Sequence, residues 1–253
     1  MNAKVVELWR YPVKGLGGES MTQLEAIKGK GVRGDRRFAL VHEDSAYAEA
    51  PGWQPKAEFL QLARDPGMAP LSAAWLEHAD TLTLTDGFGR GASVSGCTSE
   101  AGERERLEQF ADRADGKRRS GCRLVDETGT AFSDTGMPYV SIISLATLRT
   151  LSATAGTALD ARRFRGNLVV DGVEPWAEFD WIDRSLWVGS VLLRPVERIG
   201  RCSATSIDPD DGSFGPDVPR LLRDRFGHSD CGVYAEIALS GRISIGNALT
   251  PKA

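Results

Sequence analysis

The sequence predicts a strand-rich α+β protein built around a β-barrel or strongly curved sheet, and three observations carry that prediction. Short apolar and β-branched runs recur along the chain, each closed by Gly, Pro or Asp turns. Only a few segments show the helical spacing of apolar residues. No internal repeat or low-complexity tract interrupts the 253 residues, whose 41% hydrophobic and 26% charged make-up is that of an ordinary globular chain.

Taken in order, Lys4 to Tyr11 reads as a strand ending at Pro12. A glycine-rich loop, Gly15 to Gly18, precedes a second strand from Met21 to Ile27. The turn-rich stretch Lys28 to Asp35 leads to a third, Phe38 to His42. After a polar break at Ser45 to Gly52, Phe59, Leu60 and Ala63 share one face of a predicted short helix, Lys56 to Arg64. Thr81 to Thr85 pairs with Ala92 to Val94 around the Asp86-Gly87 turn. Leu107, Phe110, Ala111 and Ala114 mark an amphipathic helix over 103–114. A boundary near Ser99 divides the chain into subdomains 1–98 and 99–253. In the second half Leu145, Leu148 and Leu151 predict a helix over 141–153, and Pro219 to Phe226 predicts another. Strands are expected at 167–171, 186–188, 191–196, 204–207, 233–238 and 242–245.

A formal net charge of −4 argues against nucleic acid as a partner. No run approaches the roughly 18 apolar residues of a membrane span, so none is expected. The start lacks the apolar core of a secretory leader. Four scattered cysteines, Cys97, Cys122, Cys202 and Cys231, suit reduced thiols and a cytoplasmic location. His228 and Cys231 form the nearest metal-like spacing, one pair where structural zinc takes two.

The stretch Arg201 to Gly212 carries the most chemistry. Arg198 and Arg201 put positive charge close in sequence to Cys202, which favours the thiolate, the form that is both nucleophile and metal ligand. The turn Pro209-Asp210-Asp211-Gly212 follows at once. Taken alone, local sequence favours the plainer alternative, an inert core cysteine. Three other places suit an anion. Lys14 precedes glycines that let backbone amides approach a phosphate, and alternatively is a solvated loop lysine. Ser144 stands where a helix should begin, as an anion-facing or merely capping residue. Arg162-Arg163-Phe164-Arg165-Gly166-Asn167 offers planar guanidinium forks for phosphate and an amide for a heterocycle edge; a surface charge cluster is the alternative. The acidic run at Asp208 does not keep calcium-loop spacing, and no Gly-x-Ser-x-Gly elbow exists.

Tyr11-Pro12-Val13-Lys14, Gly34-Asp35-Arg36-Arg37-Phe38, Phe164-Arg165-Gly166-Asn167-Leu168 and Arg201-Cys202 through Asp208-Pro209 occur in the order found in MOSC-domain proteins, as do the closing segments Asp230 to Ala235 and Gly241 to Gly246. The chain resembles an N-terminal MOSC-associated barrel followed by a MOSC-type β-barrel domain, as in the mitochondrial amidoxime-reducing component and the C-terminal region of molybdenum-cofactor sulfurases. The resemblance implies a molybdenum cofactor (molybdopterin). By motif match Cys202 is the catalytic molybdenum ligand or carries a transferable sulfur, and Asp208 lies near the metal as a catalytic residue that assists proton delivery. Lys14, Arg37, Ser144, Arg165 and Asn167 match positions holding the pterin and its phosphate; Arg36 replaces Arg37 if the register slips by one residue, and Arg201 adjoins the ligand.

The implied activity is reduction of N-hydroxylated or N-oxide compounds, a small-molecule substrate class. A sulfur carrier with a Cys202 persulfide and a non-catalytic cofactor-binding module are the alternatives. Gly15 stands where reductase members carry serine, and 46–55 does not match their strand, which leaves Lys56 to take that anion-facing role. Neither an iron-sulfur cluster nor a pyridoxal-phosphate domain of its own is expected. Electrons or sulfur must come from a separate electron-transfer protein or a cysteine desulfurase.

Overall fold

A computed structural model describes residues 3–43, 45, 47, 56–95, 101–115, 121–126 and 131–252. Its first part runs β1 (Lys4–Arg10), β2 (Glu19–Met21), β3 (Gln23–Ile27), β4 (Gly31–Val32), β5 (Phe38–His42), β6 (Ser72–Leu76), β7 (Thr81–Thr85), β8 (Gly91–Ser95), α1 (Ala101–Asp115) and β9 (Cys122–Asp126). The second runs β10 (Val140–Ser144), α2 (Leu145–Ala155), β11 (Leu168–Asp171), β12 (Leu186–Val188), β13 (Val191–Gly200), α3 (Val218–Phe226), β14 (Asp230–Leu239), β15 (Gly241–Ser244) and β16 (Leu249–Pro251). The strand-rich α+β class read from the sequence is what the chain adopts.

Eight strands form one curled sheet in the order β16-β12-β13-β14-β10-β11-β1-β2. Strands β10 and β11 are parallel, so the chain must cross over between them, and α2 lies in that connection. Three register shifts interrupt the β13–β14 ladder, and bulges of this kind bend strands and add twist. Small sheets complete the fold: β15-β3-β4, β5-β9 and β6-β7-β8.

Two large apolar clusters fill the core, and the one within the large sheet draws on both parts. Val5, Leu8, Ile142, Leu168, Val233 and Ile237 pack within the large sheet. Leu16, Phe38, Leu40, Leu82, Leu84 and Leu124 pack in the first part, and Leu107 and Ala111 of α1 join them. The candidate site lies where these parts meet.

Four sequence expectations are corrected. The strand over 21–27 is two strands, because Glu19–Met21 pairs with β1 whereas Gln23–Ile27 pairs with β15. Residues 56–64 hold only one 3-10 turn, Lys56–Glu58. Beyond it the chain lies along β5: Phe59 bridges Val41 and the Leu60 amide donates to the Leu40 carbonyl. Phe59 and Leu60 are thereby buried in different clusters, as consecutive residues of an extended segment are. Residues 140–144 form a central strand with all five side chains buried, and the leucine spacing governs only the helix after it. Residues 203–206 make a 3-10 turn instead of a strand, because the Thr205 hydroxyl turns back to donate to the Cys202 carbonyl. Strands β6 and β9 were not anticipated.

Gly232 is where the sheet tolerates no side chain. Its φ is +81°, and a Cβ would stand 2.5 Å from the Ile142 carbonyl oxygen and 2.6 Å from Ile143 Cδ1. Gly232→Ala is expected to destabilise the fold by about 2 to 3 kcal/mol, read as a lower urea midpoint at unchanged slope. No helix among the described residues is long and apolar enough to cross a membrane.

Candidate functional site

A cavity of about 320 Å³ opens between the first-part loops at 14–15, 31–36 and 60–63 and the second-part segments at 131–141, 163–165 and 199–205. Lys14, Arg36, Ser141, Arg165, Arg201 and Cys202 all line it, although they are spread over nearly two hundred residues of sequence.

Its basic end is a pair of arginines stacked on Tyr11. The Arg165 guanidinium carbon lies 4.4 Å and that of Arg36 5.4 Å from the ring centroid. Both residues adopt left-handed backbone, with φ of 52° and 51°, a conformation that costs non-glycine residues about 1 to 3 kcal/mol and gathers at functional sites. Arg36 has its own counter-ion, because Asp35 accepts from its Nη1. Burial pulls Arg36 down, but Asp35, with Tyr234 and Tyr11, outweighs that and holds the group above its usual value.

Among the described residues Arg165 has no such carboxylate. Its Nη1 donates to the Leu16 carbonyl, and its buried Nη2 has no hydrogen-bond partner among the described residues. Burial first, then the neighbouring Arg36 charge, lowers its pKa to about 10. A buried guanidinium with a spare donor and no ion-pair partner favours an incoming anion. Lys14 stands beside the same cavity, donating 3.0 Å to the Phe132 carbonyl and 2.5 Å to Asp134 Oδ1.

Cys202, which lines the same cavity, is exposed, the only exposed one of the three described cysteines, all of them free thiols. Cys231 is buried, and burial pushes its thiol up to about 12, so it stays protonated and inert. Arg201 braces the Cys202 segment: Nε donates 2.8 Å to the Cys231 carbonyl and Nη1 donates 2.8 Å to that of Phe164. One side chain thus ties the thiol segment both to β14 and to the residue preceding Arg165. Arg198, expected to act on the thiol, lies 4.3 Å over Phe179 and does not line the cavity.

The remaining sequence candidates are placed elsewhere. Arg37 is turned away, gripping Asp126 through two 2.9 Å bonds and Asp80 at 2.8 Å, so of the two register alternatives it is Arg36 that reaches the cavity. Ser144 precedes α2 but is fully buried, makes no capping bond and does not line the cavity. Asp208 pairs with Arg163 at 2.5 Å and accepts from the Asp210 amide at 3.0 Å. The Lys56 side chain, the Ala46–Pro55 region apart from Tyr47, Cys97 and the Ser99 boundary lie outside the described residues.

Asn167 is fully buried beneath the cavity and supports it. Its Nδ2 donates 3.0 Å to Asp35 Oδ1, and its Oδ1 accepts from the Ser141 hydroxyl at 2.9 Å. Asn167→Ala removes a buried hydrogen bond from each partner, along with those to the Ser141 amide and the Trp9 carbonyl, and the expected cost is about 2 to 4 kcal/mol in chemical denaturation. Sequence reasoning missed Asp35, Ser141 and Tyr11. Asp35 directly precedes Arg36 in the sequence, but nothing local reveals that a carboxylate so close to an arginine is its buried counter-ion.

Comparison with known proteins identifies two consecutive domains, a MOSC N-terminal beta barrel domain over residues 2–121 and a MOSC domain over residues 132–250. The chain is 28% identical over 240 residues to human mitochondrial amidoxime-reducing component 1, covering 85% of this chain and 69% of that protein. Against human mitochondrial amidoxime reducing component 2 it is 26% identical over 231 residues, covering 82% and 68%. Among solved structures, the YUAD protein from Bacillus subtilis aligns over 98% of this chain and 94% of its own at 12% identity, with a TM-score of 0.47. The chain therefore belongs to the MOSC-domain proteins, carrying the N-terminal β-barrel domain and the MOSC domain in sequence, and is a relative of the amidoxime-reducing components.

Proposed function

We propose that this cavity binds a molybdenum-pterin cofactor and that the protein reduces N-hydroxylated or N-oxide compounds with electrons from a separate protein. The observation that carries the reading is that a buried Nη2 of Arg165, without a partner among the described residues, and an exposed cysteine belong to residues lining one cavity. Arg165, Arg36 and Lys14 would hold the cofactor's phosphate, and Cys202 would ligate its metal. The donor set fits. No group of three or more His, Cys, Asp or Glu among the described residues could hold a metal ion, and a single thiolate suits a soft metal that arrives with its other ligands. When bound, the cofactor supplies two-electron chemistry at the metal. The chain itself binds the anion at one end, fixes the thiol segment through Arg201, and keeps Arg36 charged through Asp35. The amidoxime-reducing relatives supply the substrate class.

Metal analysis and pterin fluorescence on protein from a cofactor-competent host test this. Wild type should carry both molybdenum and pterin; protein holding neither ends the proposal. The exposure of Cys202 also suits a second reading, carriage of sulfur as a persulfide. That reading predicts cyanide-releasable sulfur that disappears in Cys202→Ser, with no reduction of an amidoxime.

A further inference from the structure

A second cavity, of about 340 Å³, adjoins the first, and Gly15, Leu62, Arg163 and Arg165 line both. We propose that this second cavity is an oxyanion subsite of the phosphate class, with Arg163 as its donor and Asp208 as the residue that positions Arg163.

The side chain of Arg163 is 7% exposed. Its Nη2 donates 2.5 Å to Asp208 Oδ2, whereas its Nε and Nη1 are buried with no hydrogen-bond partner among the described residues. Two unmade donors on a buried guanidinium are costly unless something supplies acceptors. The charges around the cavity leave that role to a ligand. The carboxylates lining it are Asp86 and Asp210, and each is already engaged. Asp86 holds Arg90 at 2.7 Å and the Phe88 and Arg90 amides. Asp210 holds Arg162, itself shared with Asp160. Arg163 and Arg165 therefore keep spare N–H groups on the wall between two cavities, and the guanidinium fork matches phosphate oxygens. Asp208, fixed in turn by the Asp210 amide, holds the fork in place without consuming it. The occupant is either a free phosphate beside the first cavity's ligand or a second phosphate on that same ligand.

Isothermal titration of inorganic phosphate into the full chain, prepared in a host that makes no pterin cofactor, tests the subsite without any metal. Wild type should show two phosphate sites, and Arg163→Gln should lose one while leaving the other within about threefold. Because Arg163→Gln gives up the Asp208 ion pair and can weaken folding, Arg163→Lys is the control: it keeps the charge and should melt with wild type, yet bind at that site about tenfold or more weakly, since a point charge cannot replace the fork. In cofactor-loaded protein, persistence of the Arg163-dependent site assigns it to a free anion. Its loss, together with two phosphorus atoms per released cofactor, assigns it to one extended ligand. Equal stoichiometry and affinity in wild type, Arg163→Gln and Arg163→Lys would overturn the proposal. A metal-free preparation from the competent host would not, because the Arg163-dependent phosphate site is read without metal or pterin.

Discussion

Cys202→Ser is expected to leave the fold intact and remove the chemistry. Cys202 is exposed and hydrogen-bonds through its carbonyl, which accepts from the Thr205 amide at 3.1 Å and the Thr205 hydroxyl at 2.8 Å; serine keeps both bonds. Exposed substitutions away from packed features change stability by less than about 0.5 kcal/mol, so melting should be unchanged. Serine, a harder and far less acidic donor, does not replace a thiolate at a soft metal. Loss of an outer partner at a metal site costs about 10- to 100-fold, so loss of the ligand itself should exceed about 100-fold in amidoxime reduction driven by a reduced dye. Pterin should be retained better than molybdenum, because the arginine end of the cavity is untouched. Turnover within a few fold of wild type would show that Cys202 is not the ligand.

The second large effect runs in opposite directions for stability and binding. Arg165→Met is expected to stabilise the cofactor-free protein and to abolish anion retention. Lowering Arg165 to a pKa of about 10 corresponds to a penalty of about 3 kcal/mol for keeping it charged at neutral pH. Methionine removes that penalty but forfeits the bond to the Leu16 carbonyl and part of the stacking on Tyr11, so a net gain of about 1 to 2 kcal/mol is expected. The sign with pH follows from the direction of the shift. The folded state disfavours the proton, so the penalty is fully present below pH 10 and fades only as pH rises from there towards arginine's ordinary value. The difference between Arg165→Met and wild type should therefore stay flat from pH 6 to 9 in thermal denaturation. An apo-protein made less stable by the substitution, or a pterin content equal to wild type, would refute the role given to Arg165.

Some of this was legible beforehand because it depends on neighbours in sequence. The β7–β8 hairpin follows from alternation around Asp86-Gly87, and α3 covers the helix expected over Pro219 to Phe226. The run at 56–64 misled for a physical reason: Phe59, Leu60 and Ala63 satisfy helical spacing, but extended pairing beside β5 buries the first two more completely. Ser144 misled in the same way. A serine before an apolar helix usually caps it, yet here it ends a central strand whose neighbours bury the hydroxyl.

By itself the sequence determined the family order of motifs, the strand-rich class, and the residues Lys14, Arg165 and Cys202 as chemistry worth placing. Only the tertiary structure decided that Cys202 is exposed while Cys231 is core, since burial depends on what packs above a residue. It also decided between two adjacent arginines. Arg36, turned by its positive φ, faces the cavity, and Arg37 is spent on Asp80 and Asp126, carboxylates 43 and 89 positions away. Charge compensation is a property of three-dimensional neighbours, so which guanidinium is left without an acceptor can be read only once the chain has folded.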